Sequence, residues 1–229
     1  MSKFTTIGQK EVYEGAAQLL IANGYDPAMA RLTPSAIRTE AAMTTALAAY
    51  SFPIVAQQQN AQTVFSTMNL LSLQDVFICS AIALYAADAS SSTDGLFNLF
   101  SYGNSTAFNT GTSAAQIDQA YDNGYLSLVI DNNQVIPYLP TTLFRRVPFT
   151  QQAANIDYTA SAINVKDSRD GSEDGIFIME PNIVMAGNSQ FKLSFTLPAA
   201  LTSVTDGSRW VVVFYGILAQ NVSKIANAR

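Results

Sequence analysis

The chain has 229 residues, a net charge of −5 and a pI near 4.6, and only 13% of its side chains are charged, against about 25% in an ordinary soluble domain. A surface so poor in charge either displays Ser, Thr, Asn and Gln or is covered by partners. No Lys or Arg occurs from Thr39 to Phe144. That stretch cannot track a phosphate backbone, and the acidic balance argues against strong nucleic-acid binding and against an anionic lipid surface. Arg145, Arg146 and a few terminal basic residues are left for local contacts. Histidine is absent, which removes Ser-His-Asp and Cys-His catalysis and the usual zinc sites.

In chain order, the opening MSKFTTIGQKEVYEG has no apolar signal core, and no apolar run approaches the roughly 18 residues of a membrane span. The expectation is a chain without leader or spanning helix. From Gln9 to Tyr50 the residues read as helical. Val12, Ala16, Leu19 and Leu20 form a stripe that ends at Asn23-Gly24, and Asp26-Pro27 and Thr33-Pro34 look like fresh helix starts. The Ala-rich PSAIRTEAAMTTALAAY would carry Ala36, Met43, Leu47 and Tyr50 on one side. Residues 1–52 are therefore expected to be an N-terminal helical arm. Such an arm packs on its own domain or against a neighbouring subunit; contact with a lipid surface, as over an internal membrane, is the weaker alternative because its polar face lacks basic residues.

After Pro53 the texture changes. TVFSTMNLL, DVFICSAIALYAA, LFNLFSY, GYLSLVID, QVIPYL, IDYTASAINV, GIFIME, FKLSFTL and RWVVVFYGILA are short runs rich in Val, Ile, Phe and Tyr, separated by turn residues. A short helix is expected over residues 113–123, between Ser113 and Asn123-Gly124, and Asn132-Asn133 suits a hairpin turn. Many short strands without βαβ alternation predict a mainly β, antiparallel sandwich or barrel over residues 53–229. FKLSFTL alternates, with Phe191, Leu193, Phe195 and Leu197 inward. WVVVFYGIL does not: Val211, Val213, Tyr215 and Ile217 form a second apolar row behind Trp210, Val212 and Phe214. It should be a central strand that needs cover on both faces.

Catalytic, cofactor and metal signatures are not found. Asp170, Ser172, Asp174 and Gly175 fill the first positions of a calcium loop, but position twelve is Pro181, and Glu180 falls one residue short. The loop reads as a solvated surface segment. Asp118 and Asp122 stand one helical turn apart, and Arg145-Arg146 could pair with acids in the same chain or across an interface. Cys79, the single cysteine, lies in an apolar run and reads as a small buried hydrophobe.

The N-terminal arm, LLSLQDVFICSAIALYAA, LFSYGNSTAFN, YDNGYLSLVIDNNQVIPYLPTTLFRRVPFTQQ and the closing RWVVVFYGILAQ, in that order, resemble the jelly-roll capsid proteins of small tailless icosahedral bacteriophages. The resemblance spans about Leu70 to Gln220. It implies one jelly roll, since residues 53–229 are too few for the double roll of some of those phages. It also implies a non-enzymatic major capsid or penton-type protein, made in the host cytoplasm, that assembles into virions as trimers or pentamers of itself beside other virion proteins. The alternative on the same scaffold is a carbohydrate-binding or adhesin module with its site in the Tyr-, Asn- and Asp-rich loops.

Overall fold

The computed structural model describes residues 7–52, 54, 71–87, 99–105, 107–108, 112–147 and 175–224, with side chains from residue 11 onward. Helix α1 (Ile7–Ala22) stops where the sequence places its end. The Asn23 N–H donates to the carbonyls of Leu19 and Leu20, its side-chain amide also reaches Leu19 O, and Gly24 takes a φ of 80° that a side chain would resist. Two-residue strand β1 (Tyr25–Asp26) follows and pairs with β11 (Ser223–Lys224). Asp26-Pro27 opens a turn, in which the Ala28 N–H donates to Asp26 Oδ1, and not a helix.

The largest correction concerns residues 31–52. Arg31–Ala42 is a twelve-residue strand, β2, and Ala49–Phe52 is strand β3, so the helical arm is confined to α1. The domain boundary expected after residue 52 is displaced with it, because β2 and β3 supply one strand to each sheet. Helix propensity in this segment is a matter of tenths of a kcal/mol per residue, while β2 pairs with β10 along its whole length, Arg209↔Ala42 to Gln220↔Arg31. A period of two is also present in the residues: Ile37, Thr39 and Met43 are buried and Arg38 and Glu40 face the other way.

The remaining elements are β4 (Val76–Ala87), β5 (Leu99–Phe100), α2 (Ala114–Asn123), β6 (Tyr125–Ile130), β7 (Asn133–Pro140), a 3-10 turn (Thr141–Phe144), β8 (Ile176–Ala186), β9 (Phe191–Thr196) and β10 (Arg209–Gln220). Of the expected strands, TVFSTMNLL and IDYTASAINV fall outside the described residues, apart from Leu71, and LFNLFSY contributes only β5. All pairings among the described residues are antiparallel. One sheet runs β2-β10-β4, with β8 and β5 both on the far edge of β4, and the other runs β3-β9-β6-β7. The hairpin turn sits one residue earlier than expected, at Asp131 and Asn132, whose φ values of 48° and 66° suit a type I′ loop. Asp131 also accepts the Gln190 N–H at 2.8 Å, and this bond holds its carboxyl below the usual aspartate range.

The two sheets share one core. Ile37, Phe77, Leu84, Val212 and Phe214 of the first meet Phe52, Leu126, Leu128, Leu193 and Phe195 of the second. Trp210, fully buried, sets its ring against Phe195 (4.9 Å between centroids), Tyr121 (6.2 Å) and Tyr50 (6.4 Å), joining strands of both sheets and α2. As the alternation predicts, Leu193, Phe195 and Leu197 point inward.

Strand β4 changes face in mid-course. Phe77 and Cys79 lie in the core, then Ser80 is an extra residue in the ladder, and from there Ile82, Leu84 and Ala86 face inward. This explains why VFICSAIALYAA reads as continuously apolar. The Ser80 hydroxyl donates to Tyr215 O at 3.2 Å, and Gly216 accommodates the bulge, since a Cβ there would lie 1.9 Å from Ile78 O. Gly216→Ala should therefore destabilise the chain by about 1–3 kcal/mol through a backbone displacement. Urea unfolding checks this; an unchanged midpoint would mean the two strands separate there at no cost.

Candidate interaction surface

The first sheet has an outer face that is apolar along much of its length. At one end α1 covers it: Ala16 and Leu20 pack on Val76, Ile78, Ala186, Ala219 and Val222, with Leu19 and Ile217 partly buried beside them. Within the chain's own fold, then, the helix that could have reached a neighbour lies on its own sheet. The seating is uneven, because Val12 remains 58% exposed. Between that half of the helix and the sheet is a groove of about 850 Å³, bordered by Val12, Tyr13, Pro34, Ile78, Ser80 and Ile217 and, among the described residues, by no charged side chain.

Further along the same face Val211 is wholly buried and Val213 nearly so, in a cluster with Ala87 and the half-buried Ala36, Tyr85 and Tyr215. The second apolar row seen in the sequence is thus covered in two ways: Ile217 under α1, Val211 and Val213 among side chains of β2 and β4. Beside the valines lies an ion cluster. Glu40 accepts from Arg38 Nε and from Arg209 Nη1, both at 2.8 Å, and its carboxylate is almost sealed from water. Its register places Glu40 opposite Val211 and Arg38 opposite Val213.

The second sheet has a different exterior. Ser51, Ser194 and Ser127 lie in one cross-strand row. At the β7 side, Tyr125 and Tyr138 stack with centroids 4.9 Å apart, and Tyr138 is 60% exposed.

Asp118, Asp122 and Arg145 come together at one end of the sandwich, within a single chain. Asp118 accepts the Gly103 N–H at 2.9 Å and the Arg145 Nη2 at 3.4 Å. Arg145 Nε lies 3.5 Å from Asp122 Oδ1, an ionic contact without hydrogen-bond geometry. Across the adjoining backbone, the Arg146 N–H donates to Ser101 O and the Ser101 hydroxyl returns to Arg146 O. The helical spacing of the two acids was legible; that their counter-ion comes from residue 145 was not. The cluster fastens α2 to two loops.

Cys79 is fully buried, and desolvation pushes its thiol up to about 12, so it is not a thiolate nucleophile. In the calcium-like loop, Asp170, Ser172 and Asp174 lie outside the described residues; Gly175 precedes β8, and Glu180 and Pro181 lie within that strand. Among the described residues no group of three potential metal-ligating side chains converges, and no helix is long and apolar enough to cross a membrane. Comparison with known proteins found no matching family model, no similar curated protein and no similar solved structure.

Two mutational predictions follow from these contacts. Val211→Asp should cost about 4 kcal/mol or more, because the new carboxylate is buried facing Glu40, whereas Val213→Asp should cost less because Arg38 faces it. Equal losses in thermal or urea unfolding would mean that the ion cluster does not sense this face. Replacing Arg145 by Met should cost about 3–5 kcal/mol by taking the guanidinium away from the buried Asp118 carboxylate, while Asp122→Asn, at a side chain 46% exposed, should cost under about 1 kcal/mol. The same unfolding measurement ranks the two, and the reverse order would displace the charge from Asp118.

Proposed function

We propose that the chain is a structural virion protein, a jelly-roll capsid protein of the major or penton type that assembles with copies of itself into an icosahedral phage shell. Strand order supports the fold half of this reading. Numbering the eight strands of four or more residues, β2, β3, β4, β6, β7, β8, β9 and β10, from first to eighth, one sheet runs first-eighth-third-sixth and the other second-seventh-fourth-fifth. Two Greek keys wound together give that order, and viral capsids and lectins are among the proteins built on it. Fold alone does not choose between them.

The observation that carries the choice is the outer face of the first sheet. A groove of about 850 Å³ with no charged lining side chain among the described residues, beside an exposed Val12 and with Ile178 67% exposed on the neighbouring β8, is surface suited to cover by another subunit. A chain with 13% charged residues and no Lys or Arg from Thr39 to Phe144 is suited to dense packing among neighbours in trimers or pentamers. The virion is then its location, and other virion proteins its further partners.

A second reading, a carbohydrate-binding module, is favoured by one observation: the exposed Tyr125–Tyr138 stack beside the hydroxyl row of the second sheet. Sugar rings lie on exposed aromatic faces. Negative-stain electron microscopy of the purified chain beside its mass by light scattering separates the two. Closed shells or their trimeric or pentameric building blocks are expected. A small species that stays monomeric at high concentration and shows saturable glycan binding, lost in Tyr138→Ala, would replace the capsid reading with the second.

A further inference from the structure

We propose that the groove beneath the first half of α1 is a binding site for a small, neutral, largely apolar molecule that carries a hydroxyl or amide group. A neighbouring subunit can cover the mouth of the groove with such a molecule beneath it, so the proposal neither needs the capsid reading nor conflicts with it.

The groove is a space between two walls of one chain. Ala16 and Leu20 seat the later half of the helix on the sheet, and the turn at Asn23-Gly24 ends it there. Val12, one turn before Ala16 on the same side of the helix, stays 58% exposed, so helix and sheet part at this point. The floor is the irregular place in the sheet, where Ser80 has no partner in the ladder with either β10 or β8 and Gly216 offers no side chain. Gly15 widens the space from the helix side: it borders the groove, and a side chain added there would meet no neighbouring atom within 4 Å. Glycine weakens a helix interior, and here it leaves the room of a side chain unfilled.

Size and lining select the occupant. The volume of about 850 Å³ falls among small-molecule sites, which span about 300–1,000 Å³. Among the described residues the polar side chains on the border are those of Tyr13, Ser80 and Asn182, and the rest of it is apolar or glycine. The Ser80 hydroxyl donates to Tyr215 O and keeps acceptor positions. Among the described residues the side chains of Tyr13 and Asn182 make no hydrogen bond, so both are open to a ligand. A peptide would bring an N–H and a C=O at nearly every residue, more than three side chains can satisfy, and an ion would lie there without a counter-charge. A neutral molecule with one polar group meets both limits.

Fluorescence titration of the full chain with Nile red, a neutral apolar dye, tests the site. Saturable binding of about one dye per chain is expected, and at neutral pH decanol should displace the dye at least about tenfold more effectively than decanoate, whose charge would be desolvated. Gly15→Leu, which fills the groove, should weaken dye binding by about tenfold or more while leaving the thermal midpoint unchanged or raised. Met29→Ser, at a side chain 85% exposed and outside the groove, should bind as the native chain does, which separates the groove from apolar surface in general. Absence of saturable binding, as when a neighbouring subunit's side chain fills the groove, would overturn the proposal. So would native binding in Gly15→Leu, an equal loss in Met29→Ser, or decanoate as effective as decanol. Should Gly15→Leu fail to fold, Val12→Asp, at the exposed rim, takes its place with the same loss expected. Shells built from a chain that binds no dye would leave the capsid reading standing and remove this one, and a chain that binds the dye in the groove yet stays monomeric would do the reverse.

Discussion

Everything else in the fold is arranged around β10. It is hydrogen-bonded on both edges, to β2 over twelve residues and to β4 over nearly as many, and it is apolar on both faces. A strand of that kind cannot lie at a surface, since each large apolar side chain left in water forgoes about 1.5–3 kcal/mol. One face is answered by the second sheet through Trp210, which touches aromatic rings from β3, β9 and α2. The other has to be answered from outside the sandwich, and this demand positions α1, the ion cluster and the groove.

The answer is built unevenly because the sheet itself is uneven. The extra residue at Ser80 turns β4 over, so that Val76 and Ile78 face α1 before the bulge while Ile82 and Leu84 face the core after it. Gly216 on one side and the β8 excursion on the other make room for the same irregularity. The groove lies over this point, bordered by Ser80 and Ile217. Its place is thus set by a local backbone feature and not by the helix length. Beyond the bulge the neighbours change: Val211 and Val213 cluster with Ala36, Tyr85, Ala87 and Tyr215, and Glu40, held between two guanidinium groups, lies across the ladder from Val211.

Where the sequence pattern was tied to burial it could be read. β6, β9 and β10 were visible as alternating or two-faced apolar runs, and α2 from its Ser start and Asn-Gly end. β2 was misread because alanine and threonine carry little burial signal, so the helix-forming tendency of the segment outweighed the alternation of Ile37, Thr39 and Met43. Partners distant in sequence were out of reach altogether. Nothing in the spacing of Asp118 and Asp122 points to Arg145, and nothing in Arg38 or Glu40 points to Arg209, 169 positions later in the chain. The bulge at Ser80 was hidden for a related reason: in a strand buried on both faces, a shift of parity leaves the apolar pattern unbroken.

The scarcity of charge acquires a physical meaning in this setting. The few charges described within the sheets and at the sandwich end are spent largely on one another: Arg38 and Arg209 on Glu40, Arg145 on Asp118 and Asp122. Each of these carboxylates is met by a guanidinium, whose planar fork satisfies several acceptors at once and tolerates partial burial better than an ammonium. Burying these groups as pairs costs less desolvation than burying them singly would, while Arg31, Glu180, Lys192 and Lys224 stay exposed to water.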